Sequence, residues 1–591
     1  MKERHEIEEK YKWDLSKYCK NDVDFYEKLA EATKKLDKIK SFEGKLSDDK
    51  VLLEFLKFKY EFYKELYFTD YAYFKRCENN ADRKANEMNE KLSTFFTKFS
   101  TVMTAVEVEV DKFSLSKLKA LYNNPDFEPY KRYLEATIRH KKHSLSKREE
   151  LLLAKLDECM GGYSENFDKF SDVDLKFDEI EDSKGKKYEF SHSKYSLYVG
   201  SEDRILRKNA FKQMNGKYGE FINFVASNYI NDVKEDCVMS KIRKYKSALS
   251  AAIYAEEASE DVYNMLVKKV RENVDLQARY FEIKRKMLGF DKFAIYDTFA
   301  PVVKGEESKK YSYEEAIELI KEAVSVLGED YVALIDRAKN ERWIDVFPNK
   351  NKDSGAFSSG SKGATPVVLM NFEGNLDSVF TLAHELGHAM HTYLSDKNQP
   401  TQTAQYVIFV AEVASNVNEM LLLNLLLGRA KTTEEKIKYY DHFLVQMRSS
   451  IFRQTMFAEF EQFAHEEFEK ENPLSAELLC EKYEELNNFY HGKNVEQIDE
   501  MKYEWARIPH FYRSFYLYKY ATGLICAIKI AAKLSSDKNF ADQYLKFLSS
   551  GSSQDPISLL KIANCDLTKE ETFDEAFAAC EIFIENWEEV I

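Results

Sequence analysis

His384-Glu385-Leu386-Gly387-His388 sets two imidazoles and a carboxylate within five residues. On a helix, side chains four residues apart leave the same face one turn apart. His384 and His388 can therefore bring two nitrogens to one Zn²⁺ at about 2.0–2.1 Å. Glu385 follows the first histidine directly and can take a proton from a water at the open position of such an ion. The chain has 11 His and 102 Asp plus Glu among 591 residues. At that composition the pattern arises by chance roughly 0.04 times per chain, so its surroundings decide whether it does chemistry.

Those surroundings predict the helix that the motif needs. Apolar residues at 376, 379, 380, 383, 386, 390 and 394 form a stripe of helical period with no proline among them. Asn375 or Asp377 can cap its start. Gly387 leaves room for another backbone or a substrate to come close. A catalytic zinc keeps three protein ligands and one open position, so a second element must supply the third. Residues 406–419 read as an almost wholly apolar helix with Glu412 near its middle. An unpaired carboxylate buried there is costly. A metal removes that cost; a Lys or Arg partner is the alternative. Asn398 and Pro400 mark a turn that lets the two helices pack antiparallel.

The predicted metal ligands are thus His384, His388 and Glu412, with Glu385 as the base. Asn416 and Glu419 share the face of Glu412 and are candidates to hold the ligand imidazoles. His391 shares the face of the two histidines. At 1.5 Å of rise per residue it lies about 10 Å along the axis from His384, too far to share one ion, and it reads as a pocket-wall or supporting histidine.

Five of the 19 glycines fall between 355 and 387. Residues 364–372 read as a strand among them, and Pro366 limits that strand to an edge or to its start. An edge strand beside a metal site suits an extended peptide that adds on by main-chain hydrogen bonds; an ordinary hairpin is the alternative.

Elsewhere, nine prolines and 19 glycines are few for this length, which favours helices. Residues 49–67 and 146–159 are examples of charged amphipathic helices, and 172–189 is a weaker strand-like patch. The expected organisation is an N-terminal helical lobe, residues 1–198, and a catalytic region, residues 199–591. A net charge of −15 argues against nucleic acid as a partner. The longest apolar runs fall short of a membrane span, and the first ten residues lack the apolar core of a signal peptide. The eight cysteines are dispersed without a C-x-x-C. A cytoplasmic location with reduced thiols is expected.

The segments Ser354-Gly355-Ala356-Phe357-Ser358-Ser359-Gly360, Leu369-Met370-Asn371-Phe372, residues 384–391 and Phe409-Val410-Ala411-Glu412-Val413-Ala414-Ser415 resemble oligoendopeptidase F. That is a branch of the thimet-oligopeptidase-like (M3) zinc metallopeptidases. Tyr11-Lys12-Trp13-Asp14-Leu15 and residues 508–523 are similar to the same family, so the resemblance spans nearly the full chain. It implies a mostly α fold, a helical shell around a deep central channel with a small β-sheet near one Zn²⁺. It also implies cleavage of internal bonds in oligopeptides. In such a family His and Tyr donors near the C-terminus steady the tetrahedral oxyanion, which points to His510, Tyr512 and Tyr518, with Tyr516 a further candidate. Two rival readings remain: a helical zinc carboxypeptidase, and a non-catalytic peptide-binding protein on the same scaffold. The intact Glu385 argues against the second.

Overall fold

With few helix breakers in its sequence, the chain folds mostly into helices, many longer than four turns. The computed structural model describes residues 2–156, 160–303 and 309–591. Cys159, and with it the end of the helix expected over 146–159, lies outside the described residues. The other seven cysteines are buried and unbridged.

The chain divides into two compact units, each built from three separate segments. The first unit comprises Met1–Ser144, Ser308–Leu425 and Ile530–Cys565. The second comprises Leu145–Glu307, Leu426–Lys529 and Asp566–Ile591. Residues on both sides of 198 belong to the second unit, where helix His192–Val199 packs on helix Arg204–Glu220. The strand-like patch there is a hairpin, Ile180–Glu181 against Lys187–Tyr188, turning at Gly185 with φ +75°.

In the first unit, helices Asp22–Lys40, Asp49–Glu65, Asp70–Glu78 and Arg83–Asp111 bury an aromatic core that includes Phe25, Phe55, Phe62 and Phe74. Val367 and Leu369 belong to that same core, which is why segments more than two hundred residues apart fold together. Both lie on strand Val367–Leu369. This strand is the centre of a three-stranded sheet, parallel to Ile344–Asp345 and antiparallel to Phe357–Ser359. Pro366 precedes the strand, so the ladder loses no donor; the edges are Ile344–Asp345 and Phe357–Ser359.

A buried ionic knot fixes the sheet. Lys352 Nζ donates to the carbonyls of Phe347 (2.8 Å) and Met370 (2.6 Å) and pairs with Asp345 at 2.6 Å. Asp345 also accepts from Arg4. Burial opposes the charge on Asp345, but Arg4 and Lys352 hold its carboxyl below the usual range.

In the second unit, the segment carrying His510 is anchored just upstream. Glu504 is buried and accepts from Arg453 (2.7 Å), Arg507 (2.8 Å) and Tyr483 (2.6 Å). Burial alone would raise its pKa; the two guanidiniums overcome this and hold it at about 2, below the ordinary 4.5. A depressed carboxylate stabilises the fold fully above its unfolded pKa, and that part is lost as pH falls toward the folded value. Stability should therefore drop between about pH 4.5 and pH 2 by roughly 3 kcal/mol from this group. Urea midpoints across that range in wild type and Glu504→Gln check it. An equal acid slope in both proteins would remove Glu504 from the account.

Candidate active site and metal centre

The motif lies on helix Leu376–Asn398, and Asn375 caps it by accepting from the Ser378 N–H at 2.8 Å. The second helix, Ile408–Arg429, is long and apolar enough by composition to cross a membrane, yet 67 % of that stretch is buried inside the fold. Three approaches bring the two helices together. Asn418 donates to the Ala383 carbonyl at 3.1 Å, Gly387 meets Ser415, and His388 faces Glu412. The partner numbers fall as the motif numbers rise, so the helices run antiparallel.

Gly387 is the point of closest approach. A Cβ on it would stand 2.6 Å from Ser415 Cα and 2.7 Å from the Ala414 carbonyl oxygen. Of the two possibilities that glycine left open, the structure uses it for another backbone. That approach carries Glu412 to the histidines: its Oε2 lies 3.5 Å from His384 Nε2 and 3.8 Å from His388 Nε2. One donor atom from each of the three residues lies within 4.8 Å of the others. No Lys or Arg pairs with Glu412 among the described residues.

This donor set suits a zinc ion. Two imidazoles and a carboxylate are its ordinary ligands. Bonds of about 2.0–2.1 Å at tetrahedral angles put donors about 3.3 Å apart, a little closer than they stand here. Glu419 bonds His384 Nδ1, which turns Nε2 toward Glu412 and fixes the ring. Burial pulls the His384 pKa down, but Glu419 and the neighbouring carboxylates prevail and raise it to about 9. His388, buried beside that charge, is pushed well below its ordinary value. A cation held here would displace the proton that these carboxylates favour on His384.

Glu385 is 6 % exposed. Burial raises its pKa to about 7, against the lowering effects of His384 and the Ser358 backbone N–H. Its Oε2 is buried and makes no hydrogen bond, leaving a free acceptor beside the donor cluster. Ser358 is the middle residue of the edge strand, so the base and the open sheet edge are neighbours. His391 stands apart from the cluster. It is buried against Tyr406, ring centroids 3.6 Å apart and nearly parallel, and burial lowers its pKa to about 3.

Asn418 was not among the residues singled out from the sequence. It accepts from Tyr331 at 3.3 Å besides its bond to Ala383, and it sits among apolar neighbours on its helix, the same signal that marked Glu412.

His510, Tyr512 and Tyr518 lie in the second unit, whereas His384, Glu385, His388 and Glu412 lie in the first. His510 is exposed. Tyr512 packs on Phe167 and Tyr229. The Tyr518 hydroxyl donates to Glu256 at 3.2 Å. Phe515 between them takes a left-handed φ of +55° and donates its N–H to buried Glu461 at 2.7 Å.

Residues 197–579 match peptidase family M3, and residues 110–177 match oligopeptidase F. The chain is 34 % identical to oligopeptidase PepF of Bacillus subtilis over 100 % of its own length and 88 % of that protein. It is also 34 % identical to the group B oligopeptidase PepB of Streptococcus agalactiae, covering 98 % and 96 %. Among solved structures, a peptidase from Chlamydophila abortus superposes with a TM-score of 0.92 at 32 % identity over the full length of both chains. The oligoendopeptidase-F of Enterococcus faecium gives 0.74 at 30 % identity, over 96 % of this chain and 99 % of that one.

Proposed function

The chain belongs to peptidase family M3 and is a metalloendopeptidase; from that premise we propose that its metal is zinc, held by His384, His388 and Glu412, and that it cuts internal bonds of short oligopeptides with Glu385 as general base. The observation that carries this reading is the convergence of three donors beside a buried carboxylate with a free oxygen. A zinc ion there would supply Lewis acidity, lowering the pKa of water and polarising the scissile carbonyl. Glu385 takes the proton of the attacking water and returns one to the leaving amine. Its buried setting matches the base to neutral pH. The edge strand Phe357–Ser359 offers main-chain groups to an extended peptide, its Ser358 N–H only once that leaves Glu385. For the developing oxyanion we propose donors from His510, Tyr512 and Tyr518, as the family resemblance implies; Tyr518 serves only after leaving Glu256. Buried, unbridged cysteines support a reducing cytoplasmic setting.

The test is a quenched fluorescent oligopeptide blocked at its C-terminus. Wild type should cleave it, lose the activity to a chelator and regain it with Zn²⁺. A requirement for a free C-terminal carboxylate would make the protein a carboxypeptidase instead. Glu412→Ala should lower zinc occupancy, and unchanged occupancy would remove Glu412 from the ligand set.

A further inference from the structure

Arg448 lies on a turn of π-helix, Met447–Phe452, between helices Thr433–Gln446 and Arg453–Glu469 of the second unit. Such wide turns are rare, and they are frequent at functional sites. The residue is 6 % exposed. Its Nε is enclosed without a hydrogen bond, and among the described residues its guanidinium makes no hydrogen bond or ion pair. What it does touch is a ring: its central carbon stands 4.8 Å from the centroid of Phe299. A guanidinium cannot shed its charge, and it carries five N–H donors. Burying it without an acceptor is costly.

The carboxylates in its field are already engaged. Asp441 accepts from the Tyr280 hydroxyl at 3.1 Å and pairs with buried Lys284 at 3.6 Å. Glu504 is bonded by Arg453, Arg507 and Tyr483. Lys284, Arg448, Arg453 and Arg507 thus share Asp441 and Glu504, in a chain whose net charge is −15. Burial holds the Arg448 pKa below its ordinary value, and Arg453 adds to the effect; Tyr280, Glu504 and Asp441 do not offset it.

Two more donors in this field have no partner. The Tyr195 hydroxyl, from helix His192–Val199, is buried without a hydrogen bond and lies in the field of Arg507, Arg453 and Arg448. Arg507 Nε is also buried and unbonded, and its guanidinium stands 5.2 Å from the centroid of the Tyr195 ring. Unbonded donors and excess positive charge in one place call for an acceptor that carries negative charge. A water would satisfy the donors and leave the charge. A phosphate or sulfate is large and asks for paired donors on its oxygens. A small spherical anion fits an enclosed place and accepts from any direction.

We propose that the second unit binds one small monovalent anion, of the chloride class, through the Arg448 guanidinium and the Tyr195 hydroxyl. The next residues after the π-turn begin helix Arg453–Glu469, and Arg453 holds Glu504 upstream of His510. The anion therefore steadies the part of the second unit from which that segment springs.

The test melts the full-length protein, dialysed exhaustively against gluconate, in chloride and in gluconate at equal ionic strength. Chloride should raise the melting temperature by about 2–5 °C at saturation, and bromide should do the same. Arg448→Met replaces an unpaired charge with an apolar chain, so it should fold. It should melt at or above wild type in gluconate and gain nothing from chloride. Tyr195→Phe should raise the chloride concentration that gives half the shift about ten-fold. Crystals of wild type grown in bromide should show an anomalous peak in contact with the Arg448 guanidinium. Equal melting of wild type in the two salts, a chloride shift kept in full by Arg448→Met, or bromide crystals with no peak beside Arg448 would overturn the proposal.

Discussion

Glu385→Gln is expected to lower kcat on an oligopeptide by about 10²–10⁴-fold while leaving zinc content and melting temperature close to wild type. The amide keeps the shape of the side chain and can still accept from the Ser358 N–H, which faces this group. It cannot take a proton. The carboxylate is buried, and burial is the first cause of its raised pKa of about 7. A base acts only when deprotonated, so activity should fall as pH drops through the acid limb. A cation nearby favours the charged form, which places that limb at or below about 7. The limb should vanish from the residual activity of the Gln variant. Single-turnover kinetics with zinc measured on the same samples check both parts. A Gln variant as fast as wild type would exclude Glu385 as the base.

The second large effect is expected from a residue with no functional group. Gly387→Ala should weaken zinc binding by at least about ten-fold, since small displacements of preorganised groups carry large costs. The added Cβ would meet Ser415 Cα and the Ala414 carbonyl at 2.6 and 2.7 Å. Both are backbone atoms and cannot swing aside, so the helices must part there. Such overpacking costs about 1–3 kcal/mol. Alanine recovers about 1 kcal/mol through its higher helix propensity, so the fold survives. The Glu412 carboxylate moves with its helix, one turn from Ser415, and its spacing from both histidines widens. Competition against a chromophoric chelator measures the affinity, and circular dichroism the fold. Undiminished affinity would mean that the interhelical distance does not set the site.

The motif helix and its partner were legible because their signals are local. The spacing of His384 and His388 places both on one face, and a carboxylate in an apolar helix asks for a partner, which identified Glu412 before any contact was known. Glu419 was legible by the same helical count, and the structure joins it to His384. Asn418 carries the same polar-in-apolar signal, and its bonds to Ala383 and Tyr331 satisfy it. The sheet was read less well. Pro366 correctly limited the strand to an edge or a start, but the choice depends on a neighbour, Phe357–Ser359, that is three residues long and too short to show alternation. The division of the chain was not legible at all. Val367 and Leu369 complete a core made by residues before 140, and sequence position near 198 carries no sign of that pairing. Around His510, apolar rings and hydrogen-bonding hydroxyls share one residue type. Only contacts separate the Tyr518 hydroxyl, held by Glu256, from the exposed His510.

Both compact units end on late segments, residues 530–565 in one and 566–591 in the other. A ribosome must therefore release nearly the whole polypeptide before either unit can close. Long-range closure of this kind is slow, and nascent chains wait as partly folded intermediates. His384, His388 and Glu412 emerge well before the segment that completes their own unit. Chains cut short before residue 530 should therefore lack part of both units, and limited proteolysis should find them less protected than the full chain.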